Sequence, residues 1–441
     1  MTLKHQIAPR VSPFFVKMVQ KYGKVSLSWI GTTPRLIVGD AELMRLILIN
    51  KNSHFVKPPR NPLVSLLQLG ILTLEGGKWA TRRKLILHAF QLEKLKAMVR
   101  AAFSISCCSL IERWQKLIGH QESLELDVVP EFEFLAGDVI SRTAFGSSYQ
   151  EGKKIIELQK EQAVLAVEAN NSIYIPGLRF IPTKKNKRRY HLYNEIKQLL
   201  RDMIHKKEQA MKMDELGSDD LLSLLLQCKE KGDNGLTVDD IIEECKLFYF
   251  AGQETTANLL TWAMIVLSMH PNWQEKARDE VLRICGKVTP DFEAIKQLKI
   301  VNMVLQEVLR LYPPFPGLLR YTACETSLGG ISIPAGVDIY LPVLLVHGDS
   351  NIWGEDAEEF NPERFSEGVS KASKDQAAFY PFGWGPRICL GQNFAMIEAK
   401  MALAMVLQHF SFELSPSYAH APCSELTVCP QHGAPIMLHR L

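Results

Sequence analysis

Cys389 sits in a run of residues that packing alone does not account for, Phe382-Gly-Trp-Gly385-Pro-Arg387-Ile-Cys389-Leu-Gly391. Glycine adopts backbone conformations closed to other residues and lets the chain come close to a flat ligand. A helical pattern begins near Gly391, so Cys389 falls just before a helix N-terminus. There the dipole and the unpaired N–H groups stabilise a thiolate. Arg387 adds a fixed positive charge two residues away, and Phe382 can cover the sulfur side. The set suits a sulfur anion bound to a metal whose carrier bears carboxylates. A buried cysteine in a glycine-rich loop is the plainer reading, but it leaves the filled pattern F-x-x-G-x-R-x-C-x-G unexplained.

Three further groups of residues carry chemical potential. Glu307-Val-Leu-Arg310 places opposite charges on one helix face. Alone this means little, because such pairs are common on helix surfaces and contribute little there. Downstream lies Asn361-Pro362-Glu363-Arg364-Phe365. Ala251-Gly252-Gln253-Glu254-Thr255-Thr256 falls in the middle of a long helical pattern, where glycine and threonine are poor choices. A threonine hydroxyl can bond to a carbonyl one turn earlier and open the helix, leaving a groove with an acid and an alcohol beside it. Trp79 and Arg83 stand one turn apart on another predicted helix and face the same way. An amphipathic surface helix would explain that pair equally.

The elements that must position these groups follow from caps and breakers. Lys24–Trp29 and Arg35–Val38 are β-prone runs joined by Gly31-Thr32-Thr33-Pro34, which predicts a hairpin. Asp40 is expected to cap a helix through Ile49. From about Leu92 to Leu226 the pattern is mainly helical, punctuated by Pro130 and the stretch from Pro176 to Pro182. Lys184–Arg189 is a basic run before another helix, expected to be a solvated face, with a membrane-surface contact as the competing reading. Asp233-Asn234-Gly235 breaks the chain, and Thr237-Val-Asp-Asp opens a capping-box-like start. A helix from Val238 to about His270, stopped by Pro271, would span roughly 50 Å at 1.5 Å per residue. Another helix through Glu307–Leu311 stops at Pro313-Pro314. Short strands flank Gly329-Gly330, the stretch from Trp353 to Pro381 is irregular, and a last helix runs from near Gly391 to about Phe410.

Composition narrows the class. The chain has 51 basic and 48 acidic residues, a balance that argues against a nucleic-acid binder. Nine cysteines scattered over 441 residues are no disulfide framework and fit a reducing compartment. There is no CxxC pair, HExxH helix, G-x-S-x-G elbow or P-loop, and Gly383-x-Gly385 is too short for a dinucleotide fingerprint. NADPH is therefore not expected to bind this chain directly. The N-terminus has no apolar run long enough for a signal peptide or a membrane span.

Taken in order along the whole chain, these motifs resemble the cytochrome P-450 family of haem-thiolate monooxygenases. The resemblance implies a mainly α fold with small β-sheets, a single large catalytic domain over residues 1–441, and haem b between the long central helix and the helix after the cysteine loop. It makes Cys389 the axial thiolate ligand and assigns haem carboxylates to Trp79, Arg83, Arg320 and Arg387, with Phe382 beside the sulfur. It joins Glu307, Arg310 and Arg364 into a buried charge network behind the haem, and it gives proton delivery to Glu254 and Thr255. It also implies O2, a hydrophobic substrate, and electrons from an NADPH-cytochrome reductase, a flavoprotein. Arg82, Lys84, Lys94 and Lys96 are candidate cations for docking that donor, or ordinary solvated side chains.

The finer resemblance is to plant members of the clan numbered seventy-two, carried by Ala251–Thr256, the cysteine loop and Ser415-Pro-Ser-Tyr-Ala-His-Ala-Pro422. It points to a terpenoid or an isoprenoid hormone. Phe315, Leu318, Leu319 and Ala251 are the expected pocket residues, with Val64–Leu72 and Phe248–Ala251 adding to it. Such relatives sit as monomers on the cytosolic face of the endoplasmic reticulum through an N-terminal anchor and hinge. This sequence is expected to start after both, with the apolar stretch around Ile173–Ile181 still able to touch a membrane. A haem-thiolate isomerase or dehydratase is a rival reading, disfavoured by Thr255. A non-catalytic haem sensor or an inactive product are the others.

Overall fold

The computed structural model describes residues 5–441 except 52, 60, 68–69, 148, 171, 173–174, 176, 214–219, 231–235 and 375–377. The break expected at Asp233–Gly235 lies outside the described residues, as do Ile173, Tyr174 and Pro176. Internal contacts divide the chain into two units. One holds Met1–Pro58, Cys107–Phe132 and Thr255–Leu441, and the other holds Pro59–Ser106 and Glu133–Glu254.

All strands among the described residues belong to the first unit. The expected hairpin forms from Val25–Ile30 and Thr33–Val38, with the turn confined to Gly31 and Thr32. Its second strand runs parallel to Asp338–Leu341, which pairs antiparallel with Leu318–Thr322, and Phe55–Val56 closes the five-stranded sheet. Asp40 caps the helix Ala41–Ile49, accepting from Leu43 N at 3.0 Å. A hairpin of Thr326–Leu328 and Ile331–Ile333 turns at Gly329-Gly330 as predicted. A three-stranded sheet sets Pro435–Arg440 between Ser123–Asp127 and Phe410–Leu414. On its outer strand, the Gln274 side chain donates to Phe412 O at 2.8 Å and accepts from Phe412 N at 3.1 Å. The helix Gln392–His409 is buried on nearly every side through its last three turns, from Ala399 to Gln408. It reads apolar all round there, as a core helix must.

The second unit is helical. It contains Gly76–Leu87, Leu92–Met98, a π-helical turn at Val99–Phe103, most of Val128–Phe145, Tyr149–Asn170, Lys184–Lys212 and Leu221–Glu230. The longest helix, Val238–Met269, belongs to this unit through Glu254 and to the first unit from Thr255. It opens on the predicted capping box: Asp240 N donates to Thr237 Oγ1 at 3.1 Å, and Thr237 N donates to Asp240 Oδ2 at 3.0 Å.

Two segments act differently from expectation, while the stop at Pro271 does not. Pro130 stands in the first turn of Val128–Phe145, where no intrahelical N–H is needed. The long helix ends at Met269, before Pro271 as expected, and Pro271 then opens the next helix, Pro271–Cys285. Lys184–Arg189 forms the start of Lys184–Lys212 behind the cap Thr183, and it is more than a solvated face. Lys185 pairs with Glu168 and Arg188 with Glu161, while Arg189 is buried and donates to Leu165 O.

Candidate active site

The cysteine loop holds its shape through its own backbone. Cys389 N donates to Phe382 O at 2.9 Å, and Gly383 N donates to Tyr380 O at 3.0 Å. Gly383 and Gly385 have φ of 75° and 69°, in the left-handed region. A Cβ on Gly385 would stand 2.5 Å from Leu48 O, so glycine is required there twice over. At Gly383 the nearest atom, Arg387 O, would be 4.0 Å from a Cβ, and that face is open. Gly385–Arg387 makes a single 3₁₀ turn, and Gly391 is the N-cap of Gln392–His409 with no side-chain cap. The Cys389 side chain is exposed. An exposed thiol, an uncapped helix N-terminus and a guanidinium in the same turn are the donor set a haem-iron thiolate needs. The residues present fit that group.

Behind the loop lies the buried charge network. Arg310 and Glu307 are fully buried and form a bidentate pair, with both N···O distances 2.7 Å. The remaining Arg310 donors go to the carbonyls of His347 at 2.8 Å, Ala357 at 2.6 Å and Glu359 at 3.1 Å. Arg364 reaches Glu307 at 3.4 Å and Trp353 O at 2.7 Å, and Asn361 N donates to Glu307 at 3.0 Å. A buried ion pair is tolerable only when its remaining donors and lone pairs are satisfied, and here they are. The structure thus brings together Glu307, Arg310 and Arg364.

His347 was not singled out by its sequence context, yet it ties this network to the loop. Its Nδ1 bonds Arg310 O at 3.0 Å, and its Nε2 accepts from Tyr380 N at 2.9 Å. Tyr380 is two residues before Phe382, and its hydroxyl donates to Ala41 O at 2.9 Å. Burial, then the Arg310 charge, push the His347 pKa down to about 3. The neutral ring, with one N–H and one lone pair, is the form these two contacts require.

On the long helix, Ala251, Glu254 and Thr255 are half-buried. The backbone stays α-helical through Ala251–Thr256, so the local opening expected from the threonines is not a break in the helix. The glycine there answers to packing: a Cβ on Gly252 would lie 2.7 Å from the Ile140 side chain. Trp79 and Arg83, on Gly76–Leu87, are half-buried with the guanidinium 5.7 Å from the indole ring, a cation–π contact. Arg82 is not a docking cation. It is largely buried and bonds Glu244 at 2.8 Å, with Asp240 at 3.5 Å, because the fully buried Glu244 needs a partner. Lys96 pairs with Glu93 at 3.1 Å, and Lys84 is exposed.

Arg320 is buried on the strand Leu318–Thr322, opposite Ile339, and donates to Leu319 O at 2.9 Å. Leu318 and Leu319 are half-buried, while Phe315 is 41% exposed.

The cytochrome P-450 family model matches residues 3–438, and with this geometry it establishes the class: the chain belongs to the cytochrome P-450 family, a plant-type haem-thiolate monooxygenase. Members hold haem b through a cysteine thiolate. Among curated relatives, the chain is 55% identical to cytochrome P-450 CYP72A616 of Paris polyphylla, over 99% of this chain and 86% of that one. It is 49% identical to 11-oxo-beta-amyrin 30-oxidase of Glycyrrhiza uralensis, over 99% and 85%. It is 47% identical to 7-deoxyloganic acid hydroxylase of Catharanthus roseus, over 100% and 86%.

Proposed function

We propose that this monooxygenase hydroxylates a hydrophobic plant terpenoid or isoprenoid hormone, using O2 and electrons from an NADPH-dependent flavoprotein reductase. The observation that carries the site assignment is the exposed Cys389 thiol, set in a glycine loop before an uncapped helix N-terminus. Cys389 would hold the haem iron, and Trp79, Arg83, Arg320 and Arg387 would hold its carboxylates. When bound, the haem supplies reductive activation of dioxygen, with the thiolate favouring O–O cleavage. The chain's own residues do the rest. Thr255 and Glu254 hold and pass protons. Glu307, Arg310 and Arg364 keep the cysteine loop in place, and Phe315, Leu318, Leu319 and Ala251 offer apolar surface to substrate. Relatives named for 11-oxo-beta-amyrin and 7-deoxyloganic acid support an isoprenoid substrate.

The protein is proposed to work as a monomer at the cytosolic surface of the endoplasmic reticulum. Among the described residues no helix is long and apolar enough to cross a membrane. Exposed Ile175, Leu178, Phe180 and Ile181 support a surface contact.

The test is the carbon monoxide difference spectrum of the reduced protein. A strongly red-shifted Soret band is expected, and Cys389→Ala should abolish it. Haem bound without that shift in the wild type, or a shift surviving in the variant, would overturn the ligand assignment. A panel of triterpenoids and iridoids then identifies the substrate class by the spectral change on binding, and no response from any of them would count against it.

A further inference from the structure

Cys423 and Cys429 stand directly opposite each other in the antiparallel hairpin Pro422–Ser424 and Val428–Pro430. Their sulfurs are 3.6 Å apart, and both side chains are partly exposed. The flanking peptide groups point away from the ladder. Val428 N donates to Pro314 O at 2.9 Å, Val428 O accepts from Trp262 Nε1 at 2.9 Å, and Pro422 O accepts from Arg10 at 3.1 Å. That makes Cys423–Cys429 the hydrogen-bonded pair, with Cα atoms about 5.5 Å apart. The spacing lies inside the roughly 4.4–6.8 Å that a disulfide bridges.

We infer that this pair is a reversible redox modification site, a dithiol that glutathione disulfide converts to a disulfide between the two strands of the hairpin. The thiolate of one cysteine attacks glutathione disulfide, forming a mixed disulfide and releasing one glutathione. The thiolate of the second cysteine then displaces the other glutathione. Two cysteine thiols are oxidised, one glutathione disulfide is reduced to two glutathione thiols, and the two cysteine protons end on them. Only five residues separate the pair. So short a loop loses little entropy on closure, and the bond acts as a switch more than as a staple.

The position gives the switch something to act on. The hairpin tip is tied to the long helix through Asn258 Nδ2 donating to Thr427 Oγ1 at 2.8 Å, and through Trp262. It is also tied to Pro314, which directly precedes Phe315. Cross-linking its strands stiffens the connection between those two segments.

Glu425 lies between the cysteines and allows a direct test. The haem-loaded full chain is incubated with glutathione disulfide, its remaining thiols are blocked, and it is denatured and cut after glutamate. The fragments on either side of Glu425 should stay joined until dithiothreitol is added. Cys429→Ser should instead stop with glutathione on Cys423, and the carbon monoxide band should be unchanged throughout, which separates this chemistry from any at Cys389. Amide exchange at Ser424–Val428 should slow on oxidation and recover on reduction. Wild-type fragments that separate, with each cysteine reduced or carrying its own glutathione, would overturn the site. A joined pair with unchanged exchange would overturn its action on the hairpin.

Discussion

His347 bonds two backbone groups of opposite polarity, and its protonation would break one of them. With a folded pKa of about 3 against 6.5, the unfolded chain binds the extra proton first. The stability it contributes is therefore fully present above about pH 6.5 and is lost as pH falls from there toward 3. His5, also lowered to about 3 by burial and by His270, His420 and Arg310, adds a second contribution of the same sign. His347→Gln should flatten, without abolishing, the pH dependence of urea unfolding between those limits. An unchanged slope would mean the ring is not the titrating group. Thr255→Ala tests a different kind of role. Haem should stay bound while hydrogen peroxide released per NADPH rises several-fold, and unchanged coupling between NADPH use and product would sink the proton-delivery assignment. Cys389 and Thr255 drew attention in the sequence because their types and spacing are chemically unusual. His347 was not, because its partners are backbone groups of Arg310 and Tyr380, 37 and 33 residues away in sequence.

Among elements, the glycines separate two causes of constraint. Gly385→Ala meets both left-handed strain, worth about 1–3 kcal/mol, and the Leu48 carbonyl. Gly383→Ala meets the strain alone. The first should lower the thermal midpoint and the haem content per protein more than the second, and equal effects would show that the Leu48 contact relaxes without cost. The hairpin, the Asp40 cap, the capping box at Thr237 and the helix after Gly391 were all visible in sequence, because each rests on hydrogen bonds within a few residues. Pro130 and Lys184–Arg189 misled for one reason. A proline or a charge run looks alike just before a helix and inside its first turn, and only the neighbouring cap decides which it is. The packing reason for Gly252, Ile140, could not be read either, because it is more than a hundred residues away in the chain.

For the whole molecule, near-neutral charge leaves apolar surface as the main route to a membrane. Phe180 is 72% exposed and Trp29 63%, values unusual for such large rings. Phe180→Asp should reduce co-sedimentation with phospholipid vesicles several-fold without altering the carbon monoxide spectrum, and undiminished binding would assign the contact elsewhere. The order of motifs made the class legible from sequence. Neither the two-unit grouping nor the burial of Arg82 could be read there, since both depend on contacts distant in the chain. One such contact has a colloidal consequence. The Gln274 amide occupies the N–H and C=O of Phe412 in the way a neighbouring strand would, and the outer strand Phe410–Leu414 is thereby denied to another copy of the chain. A single side chain posing as backbone blocks edge-to-edge pairing at this edge of the sheet.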